Sequence, residues 1–156
     1  DPEVLYYVDE RDVSAYSLQE TQTLYRHISS RGYCFIAELN NTPIGECSIR
    51  KMDLQRITKL FPSKDLWRID LMIGEKEMWG KGIGTKIIGM LTKFGFEELK
   101  ADMIFGCDIA GYNIGSRKAF EKNGYRLFQV IQEKPGSKIP FCCDMMITRE
   151  EYFGRK

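Results

Sequence analysis

Residues 66–99, LWRIDLMIGEKEMWGKGIGTKIIGMLTKFGFEEL, decide the reading of this chain. Leu66 to Gly74 is an apolar run of strand length that ends on glycine. Gly80, Gly82 and Gly84 crowd into the next turn, and Ile83, Ile87, Leu91 and Phe94 then recur at helical spacing, which predicts a helix over Thr85–Leu99. Strand, glycine-rich turn and helix start therefore follow in succession. Backbone N–H groups from Trp79 to Thr85 can turn toward an anion at such a helix mouth, aided by the macrodipole. A plain strand-to-helix turn that uses glycine only for its geometry explains the loop equally well.

Two familiar phosphate signatures do not fit. A nucleotide-triphosphate loop needs G-x-x-x-x-G-K-[ST], but Gly74 leads five residues on to Trp79, and Gly82 follows Lys81 where a hydroxyl is required. A dinucleotide fingerprint needs G-x-G-x-x-G, and Thr85 occupies the third glycine position.

Outward from this core, Leu18, Leu24, Tyr25 and Ile28 predict a helix over Ser17–Ser30, stopped at SSRG. YCFIAELNNTPIGECSIRKM reads as a β-hairpin, Tyr33–Leu39 and Ile44–Met52, about an Asn-Asn-Thr-Pro turn. Downstream, MIFGCDI is a strand, and Ser116–Asn123 is a helix closed by Gly124. YRLFQVIQE and IPFCCDMMIT form a second hairpin about KPGSK. This order predicts an α+β fold, a sheet with helices on its faces.

The 156 residues suit one domain, 1–156, and 43% hydrophobic residues suffice for one core. With 23 basic against 22 acidic side chains, no global field draws the chain to nucleic acid or to a membrane surface. No apolar run reaches the length of a membrane span and the N-terminus lacks a signal-peptide pattern, so a soluble, cytoplasmic protein is expected. The five cysteines, Cys34, Cys47, Cys107, Cys142 and Cys143, lack CxxC spacing and read as reduced core residues. A single histidine, His27, offers little for a zinc site or a Cys-His pair.

IDLMIGEKEMWGKGIGTKII, followed by FGCDIAGYNIGSRKAFEKNGYRLF, resembles the acetyl-coenzyme A binding core of the GNAT superfamily of N-acetyltransferases. The likeness runs from Gly32 to Thr148 and implies a mixed, mostly antiparallel central sheet with helices on both faces. In that family a [QR]-x-x-G-x-[GA] loop holds the coenzyme pyrophosphate. Trp79 stands in its first position here, followed by Gly80, Lys81, Gly82, Ile83 and Gly84, with Thr85 next. The resemblance further implies that the preceding strand splays from its neighbour and offers Met72, Ile73 and Gly74 to the pantetheine arm. A second motif, N-x-x-S/A-x-x-x-Y-E-K-x-G-F, is matched by Asn113, Ser116, Glu121, Lys122 and Gly124, with Tyr125 in the last aromatic place. Asn113 and Ser116 are thereby assigned to the cofactor, a role compatible with capping the last helix.

Within the superfamily the chain most resembles the aminoglycoside 6′-N-acetyltransferases, which carry acids at the places of Asp70 and Asp108. DPEVLYYV resembles their segment after the first helix, so the usual first strand and first helix are expected to be absent from this chain. A sheet edge left open in that way would invite pairing, and monomer and homodimer are both expected states.

An amine must shed a proton before it attacks a thioester, and Asp70 is the candidate acceptor. A carboxylate also favours the ammonium form, so Asp70 is expected to bind the amine more than it deprotonates it. The alternative for Asp70 is an acid facing solvent or the neighbourhood of Arg68. Asp108 is a candidate for substrate binding or for turn formation. Phe120 stands where many family members place a tyrosine that protonates the departing thiolate, leaving Tyr112, Tyr125 or water for that task. Trp67, Trp79, Tyr6, Tyr7 and Tyr16 are either packing residues or pocket lining.

The expected activity is acetyl-coenzyme A (acetyl-CoA)-dependent N-acetylation by direct attack, without a covalent enzyme intermediate and without a metal. The expected acceptor is a small cationic amine such as an aminoglycoside at its 6′-amine. The alternatives are a protein or peptide acetyltransferase, which would grip a main chain at an exposed strand edge, and a non-catalytic coenzyme A binding module.

Overall fold

Asn40 and Asn41 both adopt left-handed backbone, at φ 52° and 62°, the pair of positive angles that a two-residue type I′ hairpin demands. Leu39 is thereby set opposite Thr42, joining β1 (Gly32–Leu39) to β2 (Thr42–Lys51). The turn is tighter than the four residues read from the sequence, because Pro43 is drawn into β2 opposite Glu38, beside a register shift.

The computed structural model describes residues 1–8, 15–133 and 136–155. Four more strands, β3 (Leu66–Ile73), β4 (Met103–Ala110), β5 (Arg126–Gln132) and β6 (Phe141–Thr148), complete a six-stranded sheet in the order β1-β2-β3-β4-β6-β5. Only β3 and β4 pair in parallel, and the other ladders are antiparallel. The mixed, mostly antiparallel sheet implied by the resemblance is what the chain forms. Lys134 and Pro135, within the expected KPGSK turn between β5 and β6, lie outside the described residues.

The helices are α1 (Pro2–Val8), α2 (Leu18–Ser29), α3 (Gln55–Thr58), α4 (Ile83–Glu97), α5 (Ile114–Lys122) and α6 (Arg149–Phe153). α4 and α5 each begin two residues before the expected start. A full capping box at Ser17 and Glu20 opens α2, and Thr148 with Glu151 does the same for α6. α1, α3 and α6 are too short to show a hydrophobic period, which is why the sequence reading passed them by.

The apolar stripe of α4, through Ile88, Leu91 and Phe96, packs on Ile49, Trp67, Ile69, Ile104 and Met145. The opposite face of the sheet buries Ile57 of α3 with Leu66, Met103, Phe105 and Met146. Helices therefore cover both faces. Among the described residues no helix is long and apolar enough to cross a membrane. The five cysteines are unpaired, and all but Cys34 are buried.

Candidate active site

Neighbouring strands β3 and β4 part company after three residues. Their ladder runs from Leu66 opposite Met103 to Arg68 opposite Phe105 and stops. Beyond that point β3 stays with β2 as far as Ile73 opposite Gly45, while β4 stays with β6 as far as Ala110 opposite Cys142. A register shift between Gly106 and Ile109 bends β4 away, and Asp108 sits in that irregularity with φ 56°. The gap opens between Met72–Gly74 on one side and Asp108–Ala110 on the other.

The glycine loop lies at the head of β3. Gly80 and Gly82 have φ of 73° and 78°, and a Cβ built on either meets nothing within 4 Å. These positions thus need glycine for their backbone conformation and face open space. Gly82 is the N-cap of α4 and offers no side chain to it. The first intrahelical bond is from Lys86 N–H to the Gly82 carbonyl, at 3.1 Å, so the N–H groups of Ile83, Gly84 and Thr85 have no helical partner. Trp79 differs from the expectation. Its backbone N–H already donates to the Lys76 carbonyl, at 2.9 Å, and its indole N–H to the Ile73 carbonyl, at 2.8 Å. The run of available donors therefore begins after Trp79. A Cβ on Gly84 would touch Leu71 and Ile73 at 3.5 and 3.7 Å, ordinary contact that an alanine would satisfy.

At the head of β4, Asn113 caps α5, its Oδ1 accepting the Ser116 N–H at 3.1 Å. Ser116 itself does not cap. Tyr112 stacks on Tyr6 of α1 with centroids 4.9 Å apart and donates its hydroxyl to the Tyr6 carbonyl at 2.9 Å. Tyr7 stands edge-on to Trp79 at 5.5 Å. α1 thus bridges the segments that follow β3 and β4, on either side of the gap. Of the aromatic residues expected as packing or pocket lining, Tyr6, Tyr7 and Trp79 gather there, whereas Trp67 is buried in the core with its indole on Asp65. Tyr16 precedes α2.

Phe120 is buried, its ring filling the space where a Gly106 side chain would stand and lying 4.9 Å from the Tyr125 ring. The Tyr125 hydroxyl shares a 2.8 Å hydrogen bond with Thr92 inside the core, and burial pushes its phenol upward. Tyr125 is therefore removed from the gap. Of the two tyrosines considered, only Tyr112 presents its ring at the mouth.

Across the face that carries α3 runs a strip of charge. Asp70 stands opposite Ser48 and accepts from Arg50 Nε and Arg68 Nη2, each at 2.9 Å. Arg68 also lies 3.5 Å from Asp108, and Asp108 takes a hydrogen bond from Arg56. Arg56 reaches both oxygens of the fully buried Asp144, each at 3.1 Å. Asp144 further accepts from Gln129 at 2.8 Å and from the Asp108 backbone N–H at 2.9 Å. At the other end Asp53 pairs with Arg50 at 2.7 Å and Arg31 at 3.2 Å. The two acids picked out in the sequence are thus linked through Arg68, and Asp70 does face that arginine.

Burial alone would lower the Arg68 and Arg56 guanidiniums, but the acids around them outweigh it and raise both. For Asp53 burial acts upward, yet Arg50 and Arg68 prevail and hold it below the usual carboxylate value. Glu46, two residues before Ser48 on the same face, goes the other way. Burial raises it, Asp70 adds to the rise, and a hydrogen bond from Tyr25 of α2 offsets part of it.

Arg50, Arg56, Asp144 and Glu46 escaped the sequence reading, and Arg68 entered it only as the alternative neighbour of Asp70. The alternation Glu46-x-Ser48-x-Arg50 and Arg68-x-Asp70 within apolar strands was the available signal, as was one aspartate inside FCCDMMIT. Among the described residues no cluster of His, Cys, Asp and Glu is grouped to hold a metal ion.

Residues 1–126 match the family model described as an acetyltransferase (GNAT) domain. Solved structures share the fold. A GNAT-family acetyltransferase from Bacillus anthracis superposes with a TM-score of 0.74 at 18% identity, covering 96% of this chain and 84% of that one. Spermidine N-acetyltransferase from Vibrio cholerae, in complex with CoA and spermine, gives 0.74 at 18% identity over 98% and 86%. AAC(6')-Ib in complex with ribostamycin and coenzyme A gives 0.77 at 21% identity over 99% and 86%.

Proposed function

The chain belongs to the GNAT acetyltransferase family, and from that premise we propose that it transfers acetyl from acetyl-CoA to a primary amine of a small cationic molecule, such as an aminoglycoside at its 6′-amine or a polyamine. The observation that carries this reading is the placing of Asp70 and Asp108 on one arginine, Arg68, beside the opening between β3 and β4. With Glu46 the face carries five acids, Asp53, Asp70, Asp108, Asp144 and Glu46, against four arginines, Arg31, Arg50, Arg56 and Arg68, and this excess of negative charge favours a cationic acceptor.

The loop fits the coenzyme: Gly80 and Gly82 leave open space above a turn whose following N–H groups lack helical partners. Gly80, Lys81, Gly82, Ile83, Gly84 and Thr85 would hold the pyrophosphate, with Trp79 shaping the turn. Met72, Ile73 and Gly74 would line the pantetheine, and Asn113 and Ser116 the far side of the gap. When bound, the coenzyme supplies an acetyl thioester open to attack by an amine.

Asp70 is the acid proposed to meet that amine. Each of its oxygens accepts one guanidinium N–H and keeps capacity for another donor, so it can hold an ammonium without losing its place. Asp108 would take a second positive group of the acceptor. Two of the structures named above hold ribostamycin or spermine, small polycationic amines of this kind, beside the coenzyme, which supports the reading.

An open edge favours a second reading. Among the described residues β1 ends the sheet and exposes Phe35 and Ile36, a place where a peptide acceptor could add a strand. Release of thiol from acetyl-CoA across aminoglycosides, polyamines and peptides separates the two. Turnover on small polycationic amines is expected, and turnover on peptides alone defeats the proposal.

A further inference from the structure

Five acids occupy the charged face, and four of them are met by arginine. Asp53, Asp70, Asp108 and Asp144 each accept guanidinium hydrogen bonds. Glu46 is the exception. Among the described residues no arginine or lysine pairs with it, and its partner is the neutral hydroxyl of Tyr25. Glu46 lies opposite Met72, with Ser48 opposite Asp70 in the next same-face pair, so Glu46 and Asp70 are diagonal cross-strand neighbours, about 7–8 Å apart in such ladders. Glu46 is on the side of Asp70 nearer the glycine loop, where β3 has already left β4. It is half-buried, which leaves it a route to solvent.

We propose that Glu46, steadied by Tyr25, is the base that takes the proton from the acceptor ammonium held at Asp70. The inference rests on the small-amine reading above and assigns the proton its destination. An ammonium with three N–H bonds becomes an amide with one. One proton passes to the Glu46 carboxylate and on to solvent. The freed lone pair forms the N–C bond, the C–S bond breaks with its electrons going to sulfur, and the remaining proton ends on sulfur. No outside oxidant or reductant is needed.

An arginine-paired acid gives up its ion pair when it takes a proton, whereas an acid without a cation loses none. The titratable groups that interact with Glu46 are Tyr25 of α2, Cys34 of β1, Asp70 of β3 and Cys47 of its own strand, while Arg50, the nearest cation along β2, is paired with Asp53 and Asp70. Burial and Asp70 raise its proton affinity toward the range useful to a general base. A raised carboxyl is protonated, and inactive as a base, below its shifted value. The acid limb of kcat/KM should therefore lie above the range of an ordinary glutamate.

The test uses wild-type protein, Glu46→Gln and Tyr25→Phe, with spermine and an aminoglycoside as acceptors. Acetyl-CoA affinity is measured by calorimetry, and the Glu46 carboxyl is followed by 13C NMR, assigned by its absence in Glu46→Gln. Glu46→Gln should bind acetyl-CoA normally, lose about 100-fold in kcat/KM, and lose the acid limb. Tyr25→Phe removes the bond that lowers Glu46, so the carboxyl titration and the limb should move to higher pH together. Glu46→Gln with wild-type kcat/KM and limb overturns the assignment, as does a Glu46 titration that does not follow the limb. Wild-type protein that binds acetyl-CoA yet acetylates neither amine overturns the small-amine reading as well, a result distinct from failure at Glu46 alone.

Discussion

The Trp79 indole N–H donates to the Ile73 carbonyl, at 2.8 Å, closing the bend between β3 and the glycine loop on itself. Trp79→Phe removes the donor and keeps most of the ring, including its edge contact with Tyr7. Loss of about 1 kcal/mol in denaturant unfolding is expected. An unchanged midpoint would mean that the bond is idle.

Alanine should be costly at Gly82 and tolerated at Gly84. At Gly82 a Cβ meets nothing, but φ of 78° makes it strained, by about 1–2 kcal/mol. At Gly84 ordinary contacts await it, and a change within about 0.5 kcal/mol is expected. Gly82→Ala should weaken acetyl-CoA binding in calorimetry by tenfold or more, while Gly84→Ala retains it. Equal affinities in the two variants would remove the cradle from the binding reading.

Tyr125→Phe deletes a hydroxyl bonded to Thr92 in the core. Thr92 keeps its bond to the Ile88 carbonyl, so the loss should be about 1 kcal/mol with kcat unaltered. A large fall in kcat without loss of stability would return this phenol to the chemistry.

Asp144 is fully buried and anchors Arg56, Gln129 and the Asp108 backbone. Asp144→Ala strands these donors and should cost about 3 kcal/mol, the low end of the range because a third of the Arg56 side chain remains exposed. Thermal unfolding tests the stability, and the acceptor KM should rise as Asp108 is released. A variant with native Tm and KM would contradict both expectations.

Asp53 supplies a pH signature. Its carboxyl is held below the usual value because Arg50 and Arg68 outweigh the upward push of burial. Such an acid contributes stability above its unfolded pKa, about 3.9, and loses it as pH falls through the lower folded value. The stability gap between wild type and Asp53→Asn should thus be full at neutral pH and shrink on acidification. Urea melts across the acid range would expose a gap that instead grows.

Much of the fold was legible because its signals are local. The hairpins were announced by alternation and by Asn40-Asn41, α4 by its apolar stripe, and the loop by three glycines at alternate positions. The four-residue turn was misjudged because chain signals do not say which residues a bulge at Ala37/Glu38 will pull into pairing. Asp70 and Asp108 stood out as acids in motif positions. Their arginines did not, since Arg56 meets Asp144 across 88 residues and no spacing rule reaches that far.

By itself the sequence determined the six strands, the three longer helices α2, α4 and α5, and the glycine turn that opens the mouth of α4, all consequences of forces acting within a few residues. Only the tertiary structure decided that β3 and β4 separate after Arg68, that Trp79 spends both its N–H groups on the protein, and that among the described residues Glu46 alone of the five acids meets no cation. Those outcomes depend on which strand each residue is laid against, and pairing between distant segments is settled by burial and electrostatics summed over the whole sheet.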